Sequence, residues 1–228
     1  MNTKLKTVLF DLDGTLADTA PDLARVLNDL LVEEGRAPLP FAVIRPQVSH
    51  GSPGLLKLGF GIDLTSPEHA RLRTRLLDLY ADNLCRDTVL FAGIEAVLDG
   101  LTARGLNWGI VTNKPSAFTD RLVAELRLRH PPACVVSGDT TTNRKPHPEP
   151  MWLACRQAGS EPAQCVYVGD AERDIQAGRA AGMRTLVALF GYIDRTHDAP
   201  ELWGADALVH TPAEILDWLV TNRSTEPT

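Results

Sequence analysis

The sequence predicts an α/β protein: an open parallel sheet flanked by helices, with an all-helical block inserted after the first strand. Three observations carry that prediction. A short apolar run, Val8-Leu9-Phe10, leads directly into Asp11 and Asp13. Residues 36–88 then show helical periodicity and no strand signal. From Gly93 onward, strand-like and helix-like segments alternate, the pattern of parallel βαβ units.

Each element has its own signal. The opening apolar run is a buried strand that delivers two carboxylates at its C-terminal end. Asp18 or Thr19 can cap a first helix with Pro21 in its first turn, and Leu23, Val26, Leu27, Leu30 and Leu31 share one face of it before Gly35 closes it. Two further helices are expected in the inserted block. One lies near 41–48; a longer one is opened by Ser66-Pro67 and carries Leu72, Leu76, Tyr80 and Leu84 at four-residue spacing. After Gly93, helices are expected near 94–104, 116–126, 149–158, 173–181 and 213–220. Strands fall between them at 108–111, 134–136, 165–168 and 184–189. The tail 221–228 reads as frayed.

The composition narrows the function class. A chain of 228 residues that is 44% hydrophobic and 23% charged can bury a substantial core. Its net charge of −6 argues against nucleic acid as the main partner, because phosphate backbones select basic surfaces. The four cysteines show no metal-site or CxxC spacing and read as reduced thiols. The basic segment Met1 to Lys6 is followed by an apolar run that stops at Asp11, too short for a signal-peptide core or a membrane span. A cytoplasmic protein with no membrane partner is expected.

In an open parallel sheet the C-terminal strand ends share one edge, where ligands bind. Asp11, Asp13, Thr112, Asn113 and Asp170 all fall at such ends, so one crevice should collect them. Two carboxylates ~4 Å apart repel by about 4 kcal/mol at an effective dielectric near 20, so the Asp11/Asp13 pair calls for a cation or a shared proton. Asp170 adds a third carboxylate and Asp174 a fourth, one helical turn later. Oxygen-only ligation of this kind suits Mg²⁺. Thr112 brings a hydroxyl, Asn113 a backbone N–H and Lys145 an ammonium, all of them anion-holding groups. The set fits attack by a carboxylate on a phosphoryl group, with a second carboxylate moving protons.

Asp11-Leu12-Asp13-Gly14-Thr15, Thr112-Asn113, Lys145-Pro146, and Gly169-Asp170 through Asp174 together resemble the four motifs of the haloacid dehalogenase superfamily, in order and in spacing. The resemblance implies a Rossmann-like three-layer α/β/α core, residues 1–16 and 90–228, with a helical cap domain at 17–89. It implies Asp11 as nucleophile and metal ligand, and Asp13 as general acid/base that also offers its backbone carbonyl to Mg²⁺. Thr112 and Asn113 would bind phosphate, Lys145 would stabilise its charge, Asp170 would complete the metal site, and Asp174 would act from behind it. Ala171 departs from the Ser or Asp that many relatives carry there.

A cap loop at Ser49, His50 and Gly51 is expected to face the substrate, with hinges near Ala17-Asp18 and 88–93. The chain looks most like the phosphoglycolate-phosphatase-like branch. The stretches Thr112-Asn113-Lys114-Pro115 and Phe190-Gly191-Tyr192-Ile193 are similar to proteobacterial members that include phosphatases of N-acetylmuramic acid 6-phosphate. The expected partner is a small phosphate ester, and the chain a monomer or homodimer. A phosphomutase shares the same carboxylate pair; a binding protein that merely keeps the fold would have lost part of it.

Overall fold

A computed structural model describes residues 4–222. The first strand, β1 (Thr7–Phe10), is followed by a two-residue strand β2 (Ala17–Asp18) and then by helices α1 (Ala20–Glu33), α2 (Phe41–Ile44), α3 (Gly51–Phe60) and α4 (His69–Asp82). Strand β3 (Val89–Leu90) brings the chain back by pairing antiparallel with β2. Then come α5 (Ile94–Ala103), β4 (Asn107–Val111), α6 (Ser116–Glu125), β5 (Val135–Val136) and α7 (Glu149–Gln157). The chain ends with β6 (Cys165–Gly169), α8 (Glu172–Ala181), β7 (Arg184–Ala188), β8 (Ala207–Val209) and α9 (Ala213–Asn222).

Six strands form one parallel sheet in the order β5-β4-β1-β6-β7-β8. The chain builds outward from β1 in one direction through β4 and β5, then in the other through β6, β7 and β8. The topological switch therefore falls at β1, where ligand crevices open. Alternation along the strands sorts the core into two layers. Val8 and Phe10 join Ile94, Leu98, Leu122 and Ile215 from α5, α6 and α9. Leu9 and Tyr167 join Met151, Ala154 and Ala177 from α7 and α8 on the opposite face.

The inserted helices bury their own apolar cluster, in which Val26, Leu27, Leu30 and Leu31 of α1 meet Leu55, Leu56, Leu72 and Tyr80. Buried Asp22 fastens the return to the sheet by accepting from the backbone N–H groups of Asp87 and Thr88 and from the Thr88 hydroxyl.

Several expectations are corrected. The helix expected over 41–48 is only four residues long; a 3₁₀ segment, Arg45–His50, continues it, and Pro46 within that segment lacks the N–H that an α-helical ladder would need there. Residues 51–54, expected in a loop, open helix α3, which Gly and Pro content concealed. The longer helix begins at His69 rather than at Ser66-Pro67, and Leu84 lies beyond its end. Strand β8 gave too short an apolar run to be expected. The last helix runs through Asn222, so of the tail expected to fray, Thr221 and Asn222 are helical and 223–228 lie outside the described residues, as do Met1, Asn2 and Thr3. Among the described residues no helix is long and apolar enough to cross a membrane.

Candidate active site

Because β1 lies between β4 and β6, the chain leaving each of the three strands arrives at the same point. Asp11 follows β1, Thr112 follows β4 and Asp170 follows β6. Asp11 donates its backbone N–H to Val168 O, and its Oδ1 accepts the N–H of Leu12, which fixes the side chain at the strand end. Lys145 comes from the loop before α7 with its side chain fully buried. Its ammonium lies 2.9 Å from Asp11 Oδ1 and 2.7 Å from Asp174 Oδ1, and donates to Val111 O and the Tyr167 hydroxyl. The Asn113 amide exchanges hydrogen bonds with the backbone of Lys145, at 2.9 and 3.0 Å, so the Asn113 side chain holds this loop and only its backbone is left for a ligand.

Asp11, Asp170 and Asp174 each offer a carboxylate oxygen, all within 4.8 Å of one another and all buried. Asp170 is held from three sides: by the Thr15 hydroxyl, the backbone N–H of Tyr192 at 3.0 Å and the Ser49 hydroxyl at 2.7 Å. The backbone closes tightly around it. A Cβ on Gly14, which has φ +85°, would fall 2.2 Å from Asp170 Oδ2, and one on Gly191 would fall 2.3 Å from the Gly14 carbonyl. Asp174 serves twice. Its Oδ2 accepts the N–H of Ala171 at the start of α8, replacing the cap that Ala171 lacks, while Oδ1 faces Lys145.

The charges do not balance. Three buried carboxylates face one buried ammonium, with partly buried Arg173 beside them. Burial pushes Asp11 up to about 7; Lys145 pulls against this, and Asp174 and Asp170 add to it. Burial, then Asp174, also raises Asp170. A hard cation accepted by this all-oxygen cluster would relieve the excess negative charge, so the donor set fits a divalent metal.

Asp13 stands apart from that trio. Its Oδ1 accepts from the Thr19 hydroxyl at 2.6 Å and pairs with the Lys114 ammonium at 2.9 Å. Lys114 lies over the Tyr80 ring of α4, 4.6 Å from its centroid. Burial works against its charge, but Asp13 and Tyr80 together hold the ammonium above its ordinary range. A cavity of about 440 Å³ lies between the sheet edge and the helices, lined by Asp11, Asp13, Thr112, Asn113 and Lys145 below and by residues of α1, α3 and α4 above.

The structure brings together every core residue expected from the sequence. Ser49, His50 and Gly51 also line the cavity, but the Ser49 hydroxyl is engaged by Asp170 rather than turned to the open space. His50 is held below its usual pKa by burial and by Arg173. Thr19 and Asp18 do not cap α1 with their side chains. Instead the Tyr192 hydroxyl accepts the N–H of Ala20 and donates to Asp18. Lys114, Arg173 and Tyr192 were not assigned roles from the sequence. Lys114 could have been found from its place directly after Thr112-Asn113; nothing in the sequence marks Tyr192 as a link between distant segments.

A buried aspartate–lysine pair, a second carboxylate and a carboxylate trio at the switch point of a parallel sheet define an α/β-class enzyme that hydrolyses phosphate esters under a helical roof. The chain belongs to the haloacid dehalogenase-like hydrolases, whose family model matches residues 8–188. It is 39% identical over 216 residues to an N-acetylmuramic acid 6-phosphate phosphatase of Pseudomonas aeruginosa, covering 95% of each chain. It is 43% identical over 208 residues to a phosphoglycolate phosphatase of Xylella fastidiosa, covering 91% of this chain and 90% of the relative. A crystal structure described as a predicted phosphoglycolate phosphatase from Haemophilus somnus superposes with a TM-score of 0.81 at 26% identity, covering 94% of this chain and 97% of the other. Within that family this chain is a phosphatase, a phosphoric monoester hydrolase.

Proposed function

We propose that the protein is a Mg²⁺-dependent phosphatase of a small phosphorylated metabolite, acting through an acyl phosphate on Asp11 in the cytoplasm. The observation that carries this reading is the bridge from Lys145 to Asp11 and Asp174 beside Asp170, a buried cluster with one ammonium for three carboxylates. Residues 1–16 and 90–228 form the catalytic core in this reading and 17–89 the cap.

Asp11 attacks phosphorus, and the bond to the ester oxygen breaks as the Asp11–phosphorus bond forms. Asp13, as general acid, gives a proton to the departing oxygen. It then takes a proton from a water molecule that attacks the phosphorus, freeing Asp11 and inorganic phosphate. Lys145, the Thr112 hydroxyl and the Asn113 backbone N–H hold the phosphoryl oxygens. Asp11, Asp170 and the Asp13 carbonyl would hold Mg²⁺, which supplies positive charge against the charge that builds on the phosphoryl group. Asp174 keeps Lys145 in place. The helices of 17–89 cover the reacting group and exclude bulk water.

The substrate is a carboxylate-bearing phosphate ester, with phosphoglycolate and N-acetylmuramic acid 6-phosphate as the two candidates that the relatives' activities support. The experiment is a release assay on both esters with Mg²⁺ and with a chelator. Phosphate release that stops on chelation is expected. Release unaffected by the chelator, or isomerised sugar in place of free phosphate, would overturn the reading.

A further inference from the structure

Helix α4 contributes Arg73, Leu76, Leu77 and Tyr80 to the lining of the cavity. Their spacing of three, four and seven residues places them on one face of the helix. Arg73 differs from its neighbours of the same type. Arg71 pairs with Glu34 at 2.5 Å and Arg75 with Glu33 at 2.6 Å, both on or next to α1. Arg73 is turned to the cavity, and its side chain makes no ion pair or hydrogen bond within the described residues.

The other cations of the cavity are committed or close to the reaction. Lys145 and Lys114 are paired with Asp11 and Asp13, and Arg173 donates to the Ser49 carbonyl. Arg144 adjoins Lys145 in the chain. Burial and Arg173 disfavour a charge on His50.

We propose that Arg73 is the specificity-determining residue that binds the substrate's carboxylate, and that this substrate is a sugar phosphate whose carboxylate lies across the ring from its phosphate. The proposal rests on the phosphatase reading and narrows its substrate. Tyr80 marks the catalytic end of the face, because its ring carries the lysine that pairs with Asp13. Seven residues separate it from Arg73, about 10 Å along the helix at 1.5 Å per residue. In phosphoglycolate only three bonds join phosphorus to the carboxyl carbon, a reach of roughly 4 Å at about 1.5 Å per bond. A hexose ring between the two groups extends that reach to roughly 8–10 Å. Leu77, partly exposed and backed by buried Leu76 between Tyr80 and Arg73, offers an apolar surface to such a ring. A volume of about 440 Å³ also suits a sugar phosphate better than a two-carbon acid.

The test compares N-acetylmuramic acid 6-phosphate with N-acetylglucosamine 6-phosphate, which lacks the lactyl carboxylate. Binding is titrated on the Asp11→Asn chain, which leaves the ester intact, with and without Arg73→Gln. Arg73→Gln is expected to weaken binding of the carboxylate-bearing ester by about 10- to 100-fold and to leave binding of the ester without a carboxylate within about two-fold, as loss of a charge-assisted contact predicts. Arg73→Lys should recover part of the loss. Equal weakening of both esters, or no weakening of the first, would overturn the proposal. Wild-type phosphate release, measured separately, decides the phosphatase reading: binding that follows Arg73 without any release would sink that reading and leave the subsite standing.

Discussion

The floor and the roof of the cavity are built on opposite principles. On the floor, nearly every functional group is a charge held by opposite charges or by hydrogen-bond donors: Lys145 by Asp11 and Asp174, Lys114 by Asp13, and Asp170 by three neutral donors. The roof is apolar, contributing Leu23, Leu55, Leu76 and Leu77, with Arg73 as a cation turned inward. A floor that must hold a developing charge in fixed geometry tolerates no slack. A roof that chooses among substrates needs shape and one or two directional contacts. Chemistry and choice of substrate are therefore separable by mutation.

The largest effect is expected on the floor. Lys145→Met leaves Asp11 and Asp174 facing each other in a buried site, and breaking one partner of a buried pair costs about 3–5 kcal/mol. The variant should unfold at a visibly lower denaturant midpoint and lose activity together, whereas Arg73→Gln should keep the wild-type midpoint. A normal midpoint for Lys145→Met would break the contrast between the two regions.

A smaller effect is expected from pH and metal. In the metal-free protein Asp11 keeps its proton up to about pH 7, whereas in the unfolded chain it loses it near pH 4. Between those values the native state binds more protons than the unfolded one, so stability falls as pH rises. Mg²⁺ removes the cause, and its addition should raise the melting temperature more at pH 8 than at pH 5. An equal or reversed gain would show that the carboxylate excess is relieved in another way.

The smallest effect is expected where roof meets floor. Ser49→Ala removes one of three donors to Asp170, worth about 0.5–1.5 kcal/mol. The concentration of Mg²⁺ giving half-maximal activity should rise by less than about ten-fold. A larger change would make Ser49 part of the metal site rather than a contact of the roof.

The same contrast explains what the sequence revealed. The floor was legible because strand ends carry their residues in fixed order: Asp11, Thr112 and Asp170 follow three adjacent strands, so an apolar run ending in a polar residue announces each position. Asp174 was legible through its spacing from Asp170, although its double service to Ala171 and Lys145 needed coordinates. The roof was less legible. Helix α3 hides behind two glycines and a proline at its start, and Pro46 divides what the periodicity joins. The Tyr192 links to Ala20 and Asp18 span more than 170 residues, a separation that no local pattern encodes.

The most direct measurement asks where the phosphoryl group rests during turnover. Acid quenching of the enzyme with a phosphoryl-labelled ester, followed by peptide mapping, should place the label as an acyl phosphate on Asp11, with none on the Asp11→Asn chain. Label on Asp13 or on another side chain, or undiminished turnover by Asp11→Asn, would contradict the assignment of Asp11 as the group that attacks.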